Sequence, residues 1–471
     1  MNIEKSKVFY LVKKLPKSEI KKFRSFLASP FFNRREDVSL LFDELVRHIG
    51  KPIEPKEMFK KLYGMRRFSE RDLSLVMSYL FKLLEHYFTY KAVFTKTRQL
   101  QNDVQLIEQY QQLQAPKLYQ EKLKQLEKKQ RKQNIQNAAY FTLQYQLLEK
   151  QFEFSSIERP SETEHLKAIS TALDISFIAQ KLRLLCFKIA HRSVYKANFQ
   201  PQLIDAILEY VKTNELEKIP AIGIYFYIYQ MFTTEQPNPY FQFVKTALFQ
   251  HQNALPQKEL RDIYMMTINY LIRFINERKM NYLQETLELY KAGLEQDILL
   301  ENDTITRFTF NNIIRIALRC NELEWVSSFV EVYHTKLGKS YQKSFYAFGR
   351  AAIAFQQKEY EQVLALLQEF YSRDVLLNLG AKILRSKTYY ELGEFELLTA
   401  HIEAMYNYVQ RNKVLGYHRS NYLKIISYIN KLLQVNIYSK NALKALKQAV
   451  EQEDTLSEKD WLLLKIELLD K

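Results

Sequence analysis

Apolar residues recur at intervals of three and four along most of this chain, which is the spacing of one face of an α-helix. Ser69 stands just before the clearest example and has the side chain of a helix N-cap. The apolar stripe after it consists of Leu73, Val76, Met77, Leu80, Leu83 and Leu84. The pattern predicts an all-α fold with negligible sheet.

Composition agrees with this prediction. Nine glycines and eleven prolines make 20 of the 471 residues, whereas an average protein has about 12% of the two together. The scarcity of glycine also argues against phosphate-binding loops, because these need glycines to bring backbone N–H groups close to the ligand. The sequence Gly338-Lys339-Ser340 ends like such a loop but has Tyr333 in the place of its first glycine. We predict instead that Gly338 ends a helix in the left-handed conformation.

Turn signals and changes in composition predict four segments along the chain. They are a basic helical module at 1–98, long Gln/Lys-rich bridging helices at 99–160, helical hairpins with degenerate repeats at 161–257, and a repeat array with C-terminal capping helices at 258–471. The boundary near 160 rests on the break centred on Pro160.

The last segment contains residues that recur with a period of 35. The recurring sets are Trp325, Tyr360 and Phe395; Cys320, Phe355 and Tyr390; Glu324, Glu359 and Glu394; and Arg315, Arg350 and Arg385. In the clearest copy, at 351–370, the small residue Ala351 lies nine positions before Tyr360, and the next copy has Gly393 in its turn.

Over residues 305–410 this pattern resembles the tetratricopeptide (TPR) repeat, a helix, a tight turn and a second helix that recur about every 34 residues. The chain departs from the family where Ile316 and Leu398 replace small residues. The resemblance implies an α-solenoid of antiparallel helix pairs that binds peptides or helices in a groove. It also implies that the aromatic and cysteine residues of the first two sets define the core of each repeat.

The arginine set, Arg315, Arg350 and Arg385, has two interpretations. At 100° per residue the three side chains lie far from the apolar stripe of each first helix and are expected to be exposed. Such a ladder would bind the carboxylates of an acidic peptide partner, because guanidinium groups pair with carboxylates bidentately. Alternatively, each arginine pairs with Glu324, Glu359 or Glu394 and holds neighbouring repeats in register.

The charge is concentrated near the N-terminus. The net charge is +16, and residues 1–133 contain 29 Lys and Arg against 15 Asp and Glu, a net of +14. Predicted helices at 55–62 and 70–90 flank a turn and loosely resemble a helix-turn-helix. The candidate polyanion contacts are Arg66, Arg67 and Arg71 beside this turn, and Lys128, Lys129, Arg131 and Lys132 in a later basic run. The alternative is a solvated basic surface without a ligand.

Signals for catalysis or cofactors are absent from the sequence. The eight histidines are never within four residues of one another, which excludes a paired-histidine metal motif on one helix. We therefore expect no enzyme activity, no metal and no cofactor. Two distant cysteines, no signal-peptide core near Met1 and no apolar run of about 20 residues predict a cytoplasmic protein without membrane insertion.

Two functions remain open from the sequence. The first is a non-enzymatic helical-repeat scaffold for protein–protein interaction, with an unidentified protein or peptide partner. The alternative is a nucleic-acid-binding regulator, in which residues 1–133 hold DNA or RNA and the array senses a partner.

Overall fold

The chain forms helices throughout the part that the computed structural model describes, which is residues 2–94, 99–155, 163–195, 202–234, 239–276, 281–368, 370–412, 418–453 and 456–470. Among these residues the only β-type pairing is one isolated bridge between Glu301 and Thr304. The all-α prediction is therefore confirmed.

The described helices of the first 200 residues range in length from 8 to 33 residues. They are α1 Lys7–Lys14, α2 Lys17–Leu27, α3 Glu36–Arg47, α4 Pro55–Tyr63, α5 Glu70–Val93, α6 Gln99–Gln112, α7 Pro116–Arg131, α8 Ala138–Ser155 and α9 Thr163–Tyr195.

The described helices of the remaining chain are shorter on average. They are α10 Ile204–Thr213, α11 Pro220–Thr233, α12 Pro239–Gln250, α13 Gln257–Asn276, α14 Tyr282–Glu295, α15 Arg307–Arg319, α16 Leu323–Tyr333, α17 Gln342–Gln356, α18 Tyr360–Leu367, α19 Val375–Leu392, α20 Phe395–Arg411, α21 His418–Gln434, α22 Lys440–Gln452 and α23 Lys459–Leu469.

The chain divides into two compact units. Unit 1 consists of Met1–Gln133 and Leu143–Ile169, and unit 2 consists of Asn134–Thr142 and Ser170–Lys471. The finer division into four segments stays a prediction. Its boundaries at 98 and 160 fall on residues 95–98 and 156–162, which lie outside the described residues.

In unit 1, the apolar stripe predicted on α5 lies in the core. All six stripe residues are buried, and they pack with aromatic residues of α2 and α3 such as Phe23 and Phe42. The hydroxyl of Ser69 accepts a hydrogen bond from the backbone N–H of Asp72 at 3.2 Å. The N-cap and the buried face predicted for this helix are therefore both present.

The Gln/Lys-rich segment at 99–160 is helical over most of the part that the structure describes. It forms the three separate helices α6, α7 and α8, and Pro116 begins α7 because its ring suits the first helical position and is unfavourable inside a helix. The three helices share a core made of Val104, Ile107, Tyr119, Leu123, Leu126, Leu143 and Leu147. Their apolar residues are thus packed together, whereas Lys117, Lys124, Lys128 and Lys129 of α7 are exposed.

In unit 2, consecutive helices pack against each other in adjacent pairs, from α11 with α12 to α19 with α20. The last three pairs close with the same turn, in which one residue has a positive φ and the next donates a backbone hydrogen bond to a carbonyl five residues earlier. The positive-φ residues are Asn321, Lys358 and Gly393, and the bonds are Glu322 to Ala317, Glu359 to Ala354 and Glu394 to Tyr389, at 2.9 to 3.0 Å.

These turns fix which residues of the three pairs are equivalent. The second helices begin at Leu323, Tyr360 and Phe395, so the spacing is 37 residues between the first two pairs and 35 between the last two. The constant period of 35 therefore matches the second pair to the third, but places the first pair two residues out of register.

The equivalent positions that lie in the core differ from the predicted ones. The fully buried sets are Val326, Val363 and Leu398, each 0% exposed, and Val330, Leu367 and Ile402, at most 2% exposed. The predicted core residues Cys320, Trp325, Phe355, Tyr360 and Tyr390 are only half-buried, and Phe395 is 51% exposed.

These aromatic residues act at the turns. The rings of Phe355 and Tyr360 pack edge to face at 5.6 Å, and those of Tyr390 and Phe395 do the same at 5.7 Å. The two rings of each pair cover the outer side of the connection because they stand at its two ends. Residues one helical turn further along each helix point into the core.

Gly338 does not have the left-handed conformation expected for it. Among the described residues, the glycines with positive φ are Gly50, Gly64 and Gly393. Helix α16 is followed instead by a 3₁₀ turn, His334–Lys336, which is closed by a hydrogen bond from the backbone N–H of Leu337 to the carbonyl of His334. This turn has no position that requires a left-handed residue.

We predict that Leu398→Ala lowers the free energy of unfolding by about 2–4 kcal/mol, because it empties a fully buried position between the helices. Leu397→Ala is the matched control, since the neighbouring side chain is 52% exposed and its loss should cost less than about 0.5 kcal/mol. Denaturant unfolding of both variants measures the difference. Equal losses would contradict this register.

Candidate functional site

The three arginines predicted as a ladder do not occupy equivalent positions. Arg350 and Arg385 are equivalent, but the 37-residue spacing makes the buried Ile313 their counterpart in α15. Arg315 corresponds instead to Ala352 in α17 and Lys387 in α19.

Arg350 is bound within the array. Its guanidinium group donates to the carboxylate of Glu331 and to the hydroxyl of Ser327, both at 3.2 Å and both on the preceding helix α16. The hydroxyl of Tyr346 donates to the same carboxylate at 2.9 Å. The arginine thus joins two neighbouring helices through Glu331, which is not one of the three glutamates proposed from the sequence.

Arg315 and Arg385 are placed differently from Arg350. Arg315 is exposed and Arg385 half-buried, and neither has a carboxylate within ion-pair distance among the residues that the structure describes. Arg385 and Lys382 lie close enough to His401 to affect its ionisation. The structure therefore does not bring the three arginines together as one row of equivalent side chains.

The corrected register defines a different face, which we call the helix-end face. Helix α17 packs between α15 and α19, and the last two turns of the three helices carry two sets of equivalent residues. These residues, which define the face, are Arg315, Ala352 and Lys387 in the first set and Arg319, Gln356 and Glu391 in the second.

The start of the C-terminal helix α23 contacts this face at two points, one on α15 and one on α19. Asp460 pairs with Arg319 of α15 at 3.3 Å. Glu458, the residue before α23, pairs with Lys387 of α19 at 2.7 Å. These contacts join residues 141 and 71 positions apart in the sequence.

Glu391 binds two side chains of α23. Its carboxylate accepts a hydrogen bond from Nε1 of Trp461 at 2.8 Å and pairs with Lys465 at 2.5 Å. The side chains of Glu391 and Lys465 are each only 13% exposed. Solvent therefore screens this pair less than the surface pair of Asp460 and Arg319, whose side chains are 62% and 35% exposed.

Lys387 is the cationic centre of the helix-end face. Its ammonium group lies 4.5 Å from the ring centre of Phe355 and 5.8 Å from that of Trp461. The positive charge of Lys387, aided by those of Arg315 and Arg319, holds the pKa of Glu458 below its usual value. The face therefore favours an ionised carboxylate at this point.

The sequence pattern does not single out these residues. Lys387 and Arg315 are equivalent only in the corrected register, so the period of 35 does not align them. Glu391 and Arg319 are also equivalent, but they carry opposite charges and do not appear in the sequence as a repeated residue type. Trp461 was the available signal, because it is one of two tryptophans in the chain and directly follows the charged residues Lys459 and Asp460.

In unit 1, the predicted basic residues are all exposed. Arg66 and Arg67 lie in the connection between α4 and α5, and Arg71 lies in the first turn of α5. Among the described residues these three arginines have no ion-pair partner. On α7 and just after it, Lys128, Arg131 and Lys132 project into solvent, whereas Lys129 approaches Asp103 of α6 at 3.4 Å.

Other kinds of site find little support in the part of the chain that the structure describes. No group of three His, Cys, Asp or Glu side chains there could hold a metal ion. Within the same residues, no helix combines the length and apolar character that crossing a bilayer requires. Both cysteines are free, and burial raises the pKa of the Cys186 thiol well above its usual value.

Comparison with protein-family models finds no match, and comparisons with curated proteins and with solved structures find none either.

We predict that unit 2 loses stability between pH 6.5 and pH 4 because of His401. Burial, together with the charges of Lys382 and Arg385, lowers the pKa of His401 from 6.5 to about 4. The unfolded chain therefore binds a proton in this range that the folded chain rejects, which lowers the free energy of unfolding by roughly 2–3 kcal/mol at the acidic end.

Thermal unfolding at several pH values measures this effect. His401→Gln should weaken the dependence between pH 6.5 and pH 4, whereas His86→Gln, at an exposed position of unit 1, should leave it unchanged. The same pH dependence in the wild type and in His401→Gln would contradict the assignment.

Proposed function

We propose that this protein is a non-enzymatic helical-repeat scaffold, in which residues 305–410 form a TPR-like array that binds a protein partner. The proposal includes the antiparallel, solenoid-like arrangement of helix pairs that the sequence resemblance implies. It also assigns the protein to the cytoplasm, which the two free thiols support, because reducing compartments keep cysteines unpaired.

The repeated turn supports the TPR-like part of this proposal. Three successive helix pairs share the positive-φ residue, the backbone hydrogen bond from the next residue and two fully buried apolar positions in the second helix. Repetition of one supersecondary unit at this spacing is typical of helical-repeat proteins, in which each unit packs mainly on its neighbours.

One observation carries the binding part of the proposal, namely the seating of α23 on the helix-end face. The contacts combine one aromatic side chain with charge pairs of both polarities. Aromatic anchors surrounded by polar contacts are typical of protein-binding surfaces. A face that holds one helix of this chain in this way has the chemistry to hold a partner's helix.

We predict that a protein partner, captured with the full-length chain from its native host at low salt, is lost when the helix-end face is altered. The variant Arg315→Glu plus Gln356→Glu changes two exposed side chains of this face and should fold normally. The matched control is the triple variant Arg66→Ala, Arg67→Ala and Arg71→Ala in unit 1. Mass spectrometry and nucleic-acid analysis of both captures measure the outcome.

Loss of a defined protein from the face variant, with retention by the unit 1 variant, is the expected result. The scaffold proposal fails if the face variant captures the same proteins as the wild type, or if every capture contains only nucleic acid.

A second function, nucleic-acid binding by unit 1, is favoured by the three exposed arginines beside the turn between α4 and α5. Arg66, Arg67 and Arg71 have no carboxylate partner among the described residues, so their charge is free to meet phosphates. Some other basic residues of unit 1 are neutralised instead, as by the pairs of Arg35 with Asp37 and of Lys61 with Glu44. In this alternative, unit 1 holds DNA or RNA and the array senses a partner.

If unit 1 binds duplex DNA through these three arginines, the affinity of the full chain should fall roughly 40-fold between about 50 and about 200 mM salt, since each phosphate contact releases about 0.9 counterion. The triple variant at Arg66, Arg67 and Arg71 should lose this salt-dependent binding. The control with equal charge loss replaces Lys13, Lys14 and Lys17 by Ala, at exposed positions of α1 and α2.

Fluorescence anisotropy at the two salt concentrations provides the measurement. A further variant, with Lys128, Lys129, Arg131 and Lys132 replaced by Ala, tests the second basic group. Absence of binding by the wild type at low salt would remove the nucleic-acid function.

A further inference from the structure

Helix α23 packs on α22 and α21, where Leu462 and Ile466 are buried in the C-terminal core. Its polar side chains also reach two earlier helix pairs, at Arg319 in α15 and at Glu391 in α19, and Lys387 of α19 pairs with Glu458 just before the helix. A helix that only capped the end of the array would need to contact the last pair alone. The ion pair between Asp460 and Arg319 brings the first turn of α23 to the α15 end of the helix-end face.

Trp461 is the anchor of this contact. Its side chain is 8% exposed, its ring packs edge to face on Tyr390 at 5.4 Å, and its Nε1 donates to Glu391. A buried tryptophan whose N–H is hydrogen-bonded buries a large apolar area and also fixes the orientation of its ring. Such residues dominate the energetics of many interfaces.

The charges of α23 and of the face are complementary along the helix. At the start of α23 the helix supplies the negative charges, because Glu458 pairs with Lys387 and Asp460 pairs with Arg319. One turn beyond Trp461 the helix supplies the positive charge, because Lys465 pairs with Glu391. This order specifies one direction of the bound helix, because the reversed direction would place like charges together.

Other features of α23 favour its release. Glu458, at the start of the helix, has a φ of 57° and caps no backbone N–H with its side chain. Left-handed backbone at a residue other than glycine is unfavourable by about 1 kcal/mol, and the missing cap leaves the first turn less stable. The outer side of α23 exposes Leu464 and Leu468, which are 52% and 51% exposed.

We propose that α23 is an internal ligand of the helix-end face, and that the partner of the array is a helix of the same chemistry, which displaces it. That partner helix has two carboxylates just before a tryptophan and a lysine four residues after it. The proposal rests on the scaffold function, and adds to it the kind of partner and an autoinhibitory role for α23.

A peptide of residues 456–470 is the probe. In the wild-type chain the tethered α23 competes with it at an effective concentration in the mM range, so the labelled peptide should bind weakly. In the full-length variant Trp461→Ala plus Lys465→Glu, α23 loses its anchor while the face remains intact. The peptide should bind this variant at least tenfold more tightly than the wild type, as measured by fluorescence anisotropy.

Asp460→Lys is a second, milder variant, because this side chain is 62% exposed and its replacement should not disturb folding. It opposes Arg319 with a like charge, and should give an intermediate increase in peptide affinity. Circular dichroism of each variant checks that the helices remain folded. Peptide binding that is equal in the wild type and both variants overturns the proposal.

The site on the array is tested by reversing one charge. Adding Glu391→Lys to the released variant should reduce peptide binding at least tenfold, and a peptide that carries Lys465→Glu should restore part of it. Binding that is insensitive to Glu391 overturns the assignment of the site. If the native partner still depends on the helix-end face while the peptide does not bind, the scaffold function stands and only this inference fails.

Discussion

The turn that closes the last three helix pairs sets the packing of the repeated part of unit 2. A left-handed residue and one backbone hydrogen bond reverse the chain within three residues, so the first and second helices of each pair meet at a fixed rotation. That rotation buries Val326, Val363 and Leu398 and leaves the last turns of the first helices with their charged side chains outward. A shift of two residues in any pair would exchange these roles.

The same constraint assembles the helix-end face. Arg315 and Lys387 lie at equivalent positions of helices two repeats apart, with the small Ala352 between them. Neither basic residue could be assigned to a shared surface until the turns had fixed the register. Once they are aligned, the opposite charges of Arg319 and Glu391 explain the order of charges along α23.

Unit 1 uses its polar residues differently. Several of its acidic side chains are paired within the unit. Glu19, for example, has its pKa lowered to about 2 by hydrogen bonds from Lys91 and Tyr87. Arg66, Arg67 and Arg71, near the turn between α4 and α5, form no such pair among the described residues. The net charge alone does not distinguish these residues, since lysines elsewhere in the unit have carboxylate partners.

The sequence by itself determined the helical fold, the cap and buried stripe of α5, and the existence of a repeated helix pair, because these depend on local spacing. It did not determine the register of the repeat, since two additional residues between the first and second copies shift side chains without changing the helical pattern. The aromatic residues that recur every 35 positions therefore lie at the turns and not in the core. The three arginines that recur with the same period are not all equivalent. Only the tertiary structure decided that Lys387, Glu391 and Arg319 meet α23, because these contacts join residues 71 to 141 positions apart.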